Sequence, residues 1–153
     1  MKLRYNYRIY PTKQQQQLLA QTFGCTRVVW NDALAVIKGL GDGEKWPSNS
    51  NLQKRVITHA KRTVEREWLK EVSNIPLQQS VADLGTAFKN FFDSRKGKRK
   101  GKPVGFPRFK KRSYNQSARF RKGGFSIANG KVYLAKIGRL KVKWSRPLPS
   151  EPV

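Results

Sequence analysis

The chain has 153 residues, with 33 Lys and Arg against 9 Asp and Glu, giving a net charge of +24. A field this positive attracts polyanions, and it excludes an acidic scaffold or the near-neutral surface of an ordinary small-molecule enzyme. With 37% apolar residues and 11% aromatics, the chain is too apolar for a disordered basic tail, so a folded basic domain is expected.

Residues 2–10 alternate, with Leu3, Tyr5, Tyr7 and Ile9 on one side and Lys2, Arg4, Asn6 and Arg8 on the other. Period two predicts a strand with an apolar and a basic face, ended by Pro11. Thr12 with Gln15 reads as a capping box. Leu19, Phe23, Trp30, Leu34 and Ile37 then follow at helical spacing until the Gly39, Gly41 and Gly43 cluster stops the helix. Ser50 with Gln53 repeats the capping pattern, and Leu52, Val56, Ala60, Val64 and Trp68 step by four, predicting a second helix. A third starts near Pro76 and carries Leu77, Val81, Leu84, Phe88 and Phe91 on one face. Three such helices would pack as a small bundle.

The stretch 95–103, RKGKRKGKP, can form no core and reads as a flexible basic loop. Beyond it the period returns to two. Gln116–Arg121 is a candidate strand. Phe125–Ala128 and Lys131–Leu134 flank Asn129-Gly130, a strong hairpin signal, and Leu140, Val142 and Trp144 alternate with lysines. Residues 147–153 read as a linker. The first strand cannot stand alone and must pair with the later ones. The expected class is therefore α+β: a small β-barrel or sheet from strand 2–10 and strands after 113, with a three-helix insertion.

Charge divides the chain. Residues 1–93 carry +6, whereas residues 94–150 carry +19 without one acid. Lys96, Lys98, Arg99, Lys100 and Lys102 in the loop, then Arg108, Lys110, Lys111 and Arg112, are candidate phosphate contacts. So are Lys2, Arg4 and Arg8 on the first strand and Lys141 and Lys143 near the end. Interleaved rings, among them Phe106, Phe109, Tyr114 and Tyr133, could stack on unpaired bases. Most of these, Tyr133 and Trp144 above all, are expected in the β core.

Catalysis is not expected. Two-metal hydrolysis needs converging carboxylates, and the nine acids show no spacing that demands convergence. Cys25 is alone, so it forms no internal disulfide and fits a reducing compartment; with His59 it cannot complete a zinc site. No metal or cofactor is expected. No apolar run approaches the roughly 18 residues of a membrane span, and the N-terminus lacks a signal-peptide core. A soluble, cytoplasmic, nucleoid-associated protein is expected.

RIYPTKQQQQLLAQTFGCTRVVWN (8–31), WLKEVSNIPLQQSVADLGTAFKNFF (68–92), GFPRFKKR (105–112) and LAKIGRLKVKW (134–144) occur in the order found in the TnpB (OrfB) proteins of bacterial insertion sequences, which this chain resembles. Those proteins are RNA-guided DNA nucleases related to the type V CRISPR effectors, and they were long described as transposases with a helix-turn-helix N-terminus.

The resemblance implies a wedge β-barrel over 1–11 and 104–146, a helical recognition insertion over 12–95, the basic loop 96–103 and a truncated end at 147–153. It implies DNA and a structured guide RNA as partners. The nuclease domain and zinc ribbon would follow Val153, so nuclease activity does not carry over, and a separate chain carrying the nuclease half is a candidate partner. In the family a short DNA motif beside the target is read. Gln78 matches the family's pattern and suits adenine; Asn74, Ile75 and Trp46 occupy neighbouring positions where this sequence departs from that pattern, so a different readout is expected, and Ser50 and Arg121 are further candidates on the same basis. The alternative is a stand-alone helix-turn-helix factor in transposition or regulation, although the Gly39–Gly43 loop is long for that motif's turn. A ribosomal-type RNA-binding role is a third reading.

Overall fold

A computed structural model describes residues 2–153. Thr12 caps the first helix as a full capping box: its hydroxyl accepts from the Gln15 amide, and the Gln15 side chain accepts from the Thr12 amide. Helix α1 then runs from Lys13 to Lys38 and ends at Gly39. Its inner face is Cys25, Val29, Trp30, Ala33, Leu34 and Ile37. Leu19 and Phe23, expected in that stripe, are only half-buried.

Helix α3, Asn74–Arg95, buries Leu77, Val81, Leu84 and Phe88 against α1, with Pro76 in its first turn as the sequence indicates. Ser73 caps it by accepting from the Ile75 amide. These two helices form the main core.

The second predicted helix is not continuous. Ser48, not Ser50, caps a short α2 over Asn49–Gln53. A π turn (Lys54–Thr58) and two 3-10 turns (Ala60–Arg62 and Glu67–Glu71) follow. Val56, Ile57, Thr58, Thr63 and Val64 are β-branched and weak helix formers. The turns also let Leu69 and Val72 reach the core, which a straight helix on the Leu52–Val56 stripe would not. Val64, the fourth member of that stripe, is 83% exposed.

The strands are β1 (Arg8–Tyr10), β2 (Phe125–Ala128), β3 (Lys131–Leu134) and β4 (Gly138–Lys143). They form one antiparallel sheet in the order β1-β4-β3-β2. The first strand pairs with the last, so the helices are an insertion within the sheet's connectivity, as the pattern required. Asn129 and Gly130 turn the β2–β3 hairpin with φ of 52° and 73°, the left-handed pair such a turn needs.

Two expectations change here. The sheet is open, with β1 and β2 at its edges; four strands of three to six residues are too few and too short to close a barrel. Only Arg8–Tyr10 of the first segment is strand, because β4 ends at Lys143 and leaves residues 2–7 no ladder to join. Tyr7 keeps that arm in place, donating its hydroxyl to the Arg146 carbonyl at 2.9 Å and meeting Trp144 edge-on at 4.9 Å.

Gln116–Arg121 is not a strand either. It belongs to a strap, residues 104–121, that has no helix or strand, turns at residues 112–114 and runs beside α1. The sheet is tied to the helices by Gln15 Nε2, which donates to the Arg139 carbonyl, and by Lys136 Nζ, which donates to the Lys70 carbonyl. Gly124 lies under Ile75 so closely that a Cβ there would come within 2.9 Å of Ile75 Cδ1.

Candidate nucleic-acid interface

The strap is positioned by side chains of α1. The Asn31 amide binds the Lys110 backbone twice, accepting from its N–H at 2.8 Å and donating to its carbonyl at 3.0 Å. Trp30 Nε1 donates to the Arg108 carbonyl at 2.9 Å. Thr26 donates to the Ser117 carbonyl, and Arg27 to the Gln116 side chain. Arg108, Lys111 and Arg112 are exposed along this tether. Lys110 differs: its ammonium sits 4.1 Å from the Trp30 ring centroid. Burial pulls its pKa down and Asp83 opposes the shift, so much of its charge is used internally.

The loop cations Lys96, Lys98, Arg99, Lys100 and Lys102 are exposed, with Gly97 and Gly101 at φ of 70° and 98° setting its bends. Phe106, which follows the loop, is anchored edge-on against Phe88 and Phe91. Lys2 lies in the N-terminal arm. Arg4, in the same arm, lines a groove with Lys110, Asp83 and Arg119. Arg8, Lys141 and Lys143 are exposed on the sheet.

Of the six residues expected to read DNA, the structure gathers four. Ser50, Asn74 and Gln78 line one groove of about 380 Å³ with Gln53, Lys54 and Lys61. Arg121 reaches it from the strap, its Nη2 donating to Gln78 Oε1 at 2.6 Å. Lys61 Nζ likewise donates to Asn74 Oδ1. Next to them Arg119 donates to Gln79 Oε1 at 2.6 Å and pairs with Asp83 at 2.7 Å. The first turns of α3 therefore present amides whose carbonyl oxygens are each engaged by a cation.

The other two residues sit elsewhere. Trp46 packs edge-on against Phe88 at 5.1 Å and Phe92 at 5.8 Å, about 15 Å along α3 from Gln78 by helical rise. Ile75 is wedged on Gly124 between helix and sheet. Lys61, Gln79 and Arg119 were missed from the sequence. Only the Gln78-Gln79 doublet hinted at them.

Among the described residues, no three His, Cys, Asp or Glu side chains cluster as metal ligands. Among the same residues, no helix is long and apolar enough to cross a membrane.

The helix-turn-helix domain model of IS605-type OrfB proteins matches residues 1–40. In the structure those residues, from 2 onward, give β1 and the uninterrupted α1. A Streptomyces pristinaespiralis protein named "Putative RNA-guided DNA endonuclease" is 38% identical over 151 residues, covering 97% of this chain and 36% of that protein. InsQ of Escherichia coli K12, with the same designation, is 32% identical over 144 residues, covering 93% of this chain and 34% of InsQ. The chain thus spans about a third of the length of these two relatives. Virulence protein VsdF of Salmonella dublin is 31% identical over 112 residues, 68% of this chain and 88% of VsdF. The ordered motifs and these relatives together place the chain in the TnpB/OrfB family of insertion-sequence proteins, whose N-terminal portion it matches.

Proposed function

We propose that this chain is the nucleic-acid-binding N-terminal part of an RNA-guided DNA endonuclease, engaging a structured guide RNA and the target duplex. The observation that carries this is the charge of +19 without an acid over residues 94–150, displayed on a loop, a tethered strap and a sheet face. Such an array neutralises phosphates and releases their counterions. In this reading residues 1–11 and 104–146 act as the wedge, and the open edges β1 and β2 are where further strands would complete a barrel. In this reading the chain binds and positions nucleic acid, and hydrolysis, which needs converging carboxylates, is not assigned to it.

The groove at the start of α3 reads the duplex. With Asn74 Oδ1 and Gln78 Oε1 taken by Lys61 and Arg121, the amide N–H groups are what remains to face a base. Donors match guanine O6 and N7 or thymine O4 in the major groove. A bidentate adenine contact would have to compete with Arg121 for the Gln78 oxygen. The stand-alone regulator reading fits less well, since residues 39–48 separate α1 from a five-residue α2 where a 3–4-residue turn is needed.

A salt titration of binding to a structured RNA and to duplex DNA tests the proposal. A log–log slope equivalent to about six or more phosphates is expected. A slope equivalent to one or two would overturn it.

A further inference from the structure

Strand β4 carries Arg139, Lys141 and Lys143 on one face, alternating with Leu140 and Val142 on the other. The register sets Lys141 between Tyr10 and Lys131, Lys143 opposite Arg8, and Arg139 opposite Tyr133. Five cations and two tyrosines therefore share this face, and none of the four strands contains a carboxylate. Two like-charged pairs stand directly opposite, Lys131–Lys141 and Arg8–Lys143. Such pairs destabilise a sheet, and among the described residues none of the five cations has an ion-pair partner. An anionic ligand would relieve the repulsion.

The two tyrosines differ from the other rings of this half. Tyr7 packs on Trp144, Trp144 Nε1 donates to the Gly130 carbonyl, and Arg146 lies over Tyr5. The side chains of Tyr10 and Tyr133 have no hydrogen bond or ring contact among the described residues, and the two residues are 47% and 43% exposed. Beside Tyr133 runs a trough of about 240 Å³ lined by Ser126, Ala128, Lys131, Tyr133 and Arg139. Ser126 lies across from Tyr133 and Ala128 across from Lys131. These small side chains keep the floor open beside an aromatic ring with a guanidinium and an ammonium at hand.

We infer that this face is a platform for unpaired nucleotides. One base stacks on Tyr133 in the trough and another on Tyr10, while Arg8, Lys131, Arg139, Lys141 and Lys143 hold the phosphates. Two strand spacings and two residue rises put the rings about 12 Å apart, suited to two separate bases and not to one base held between them. Stacking needs a free base face, so duplex gains nothing from the rings. The inference rests on the nucleic-acid-binding role proposed above, but it names a surface distinct from the α3 groove.

The test uses the full 153-residue chain with labelled oligouridylate, oligothymidylate, and hairpin duplexes of RNA and DNA at fixed salt. Tyr133→Leu and Tyr10→Leu keep apolar bulk but lose the ring. Each should weaken both single strands about tenfold, leave duplexes unchanged and preserve the salt slope. Lys131→Gln with Lys141→Gln should instead lower the slope by about one per residue. Tyr133→Trp should retain binding, with its added indole emission quenched by single strands only. That readout holds even if the leucine variants fold poorly. Wild-type chain that binds no nucleic acid would defeat the broader proposal. Binding that the leucine variants leave intact, equal losses on duplex, or no indole quenching would defeat the platform alone.

Discussion

Asn31→Ala removes both hydrogen bonds that hold the Lys110 backbone, at 2.8 and 3.0 Å. Each is worth about 0.5–1.5 kcal/mol net. Lys110 lies at the surface, so water can replace the lost partners and no buried polar group is stranded. The expected loss is therefore about 1–2 kcal/mol. Trp30 on the Arg108 carbonyl and Thr26 on the Ser117 carbonyl remain, so the strap should loosen around Lys110 and not detach. Urea unfolding should report the stability change. Native-state hydrogen exchange should show the Lys110 amide exchanging about 5–30 times faster. Duplex affinity should fall while the salt slope stays, because every cation is still present. An unchanged Lys110 exchange rate at unchanged stability would refute the claim that α1 positions the strap.

Gln78→Ala should flatten base preference at one position of a randomised duplex library by about 1–3 kcal/mol, whereas Arg121→Ala should shift it toward adenine by freeing the amide oxygen; an unaltered preference in both would reject the groove as the reading site. Leu84→Ala, at a fully buried position, should cost about 2–5 kcal/mol in denaturant unfolding, while Val64→Ala at an 83% exposed site should stay within about 0.5 kcal/mol. Burial raises the Asp83 pKa despite the opposing Arg119 and Lys110 charges. A raised carboxyl stabilises the fold at low pH and loses that contribution as pH rises through its folded value. Asp83→Asn should therefore be neutral or stabilising at pH 7 although an ion pair is lost, and a clear drop in its melting temperature there would count against this. Burial, then Glu71, pushes the Cys25 thiol up to about 11. Its stability contribution is full below 9.0 and fades between 9.0 and about 11, so a thiol reagent at pH 8 should react only as the chain unfolds.

What could be read in advance was what local periodicity and turn chemistry encode. The Thr12–Gln15 box, the Leu77–Phe88 stripe and the Asn129-Gly130 turn each depend on neighbours in sequence, and each formed as expected. The second helix failed because its step-of-four stripe ignored the β-branched residues around it and the demand for Leu69 and Val72 in the core. Gln116–Arg121 looked like a strand because an extended segment has the same sequence pattern whether a neighbouring strand or a helix's side chains satisfy it. Gln78 could be marked from the family motif, but its oxygen is claimed by Arg121, 43 residues away. Trp46 was likewise named from the family's pattern, and it packs in an aromatic cluster with Phe88 and Phe92, away from Gln78.

The way the strap is held bears on what it can bind. Thr26, Arg27, Trp30, Asn31 and Lys38 of α1 meet the strap at Ser117, Gln116, Arg108, Lys110 and Phe109, Trp30 doing so from the edge of the core stripe. Apart from Arg27 and Lys38 these are neutral groups, and their hydrogen bonds go to strap carbonyls and an amide. A strap this basic could have been fixed by ion pairs to acids on the helix. Each such pair would have consumed a cation and left less charge for phosphate. Neutral tethering to the backbone fixes the path of the chain and leaves Arg108, Lys111 and Arg112 unspent. Where an acid does intervene, at Asp83, it pairs with Arg119 and opposes the lowered pKa of Lys110. These two strap cations, with Arg121 on Gln78, are therefore used for the protein's own structure, and Lys110 and Arg119 should contribute little to the salt dependence of binding.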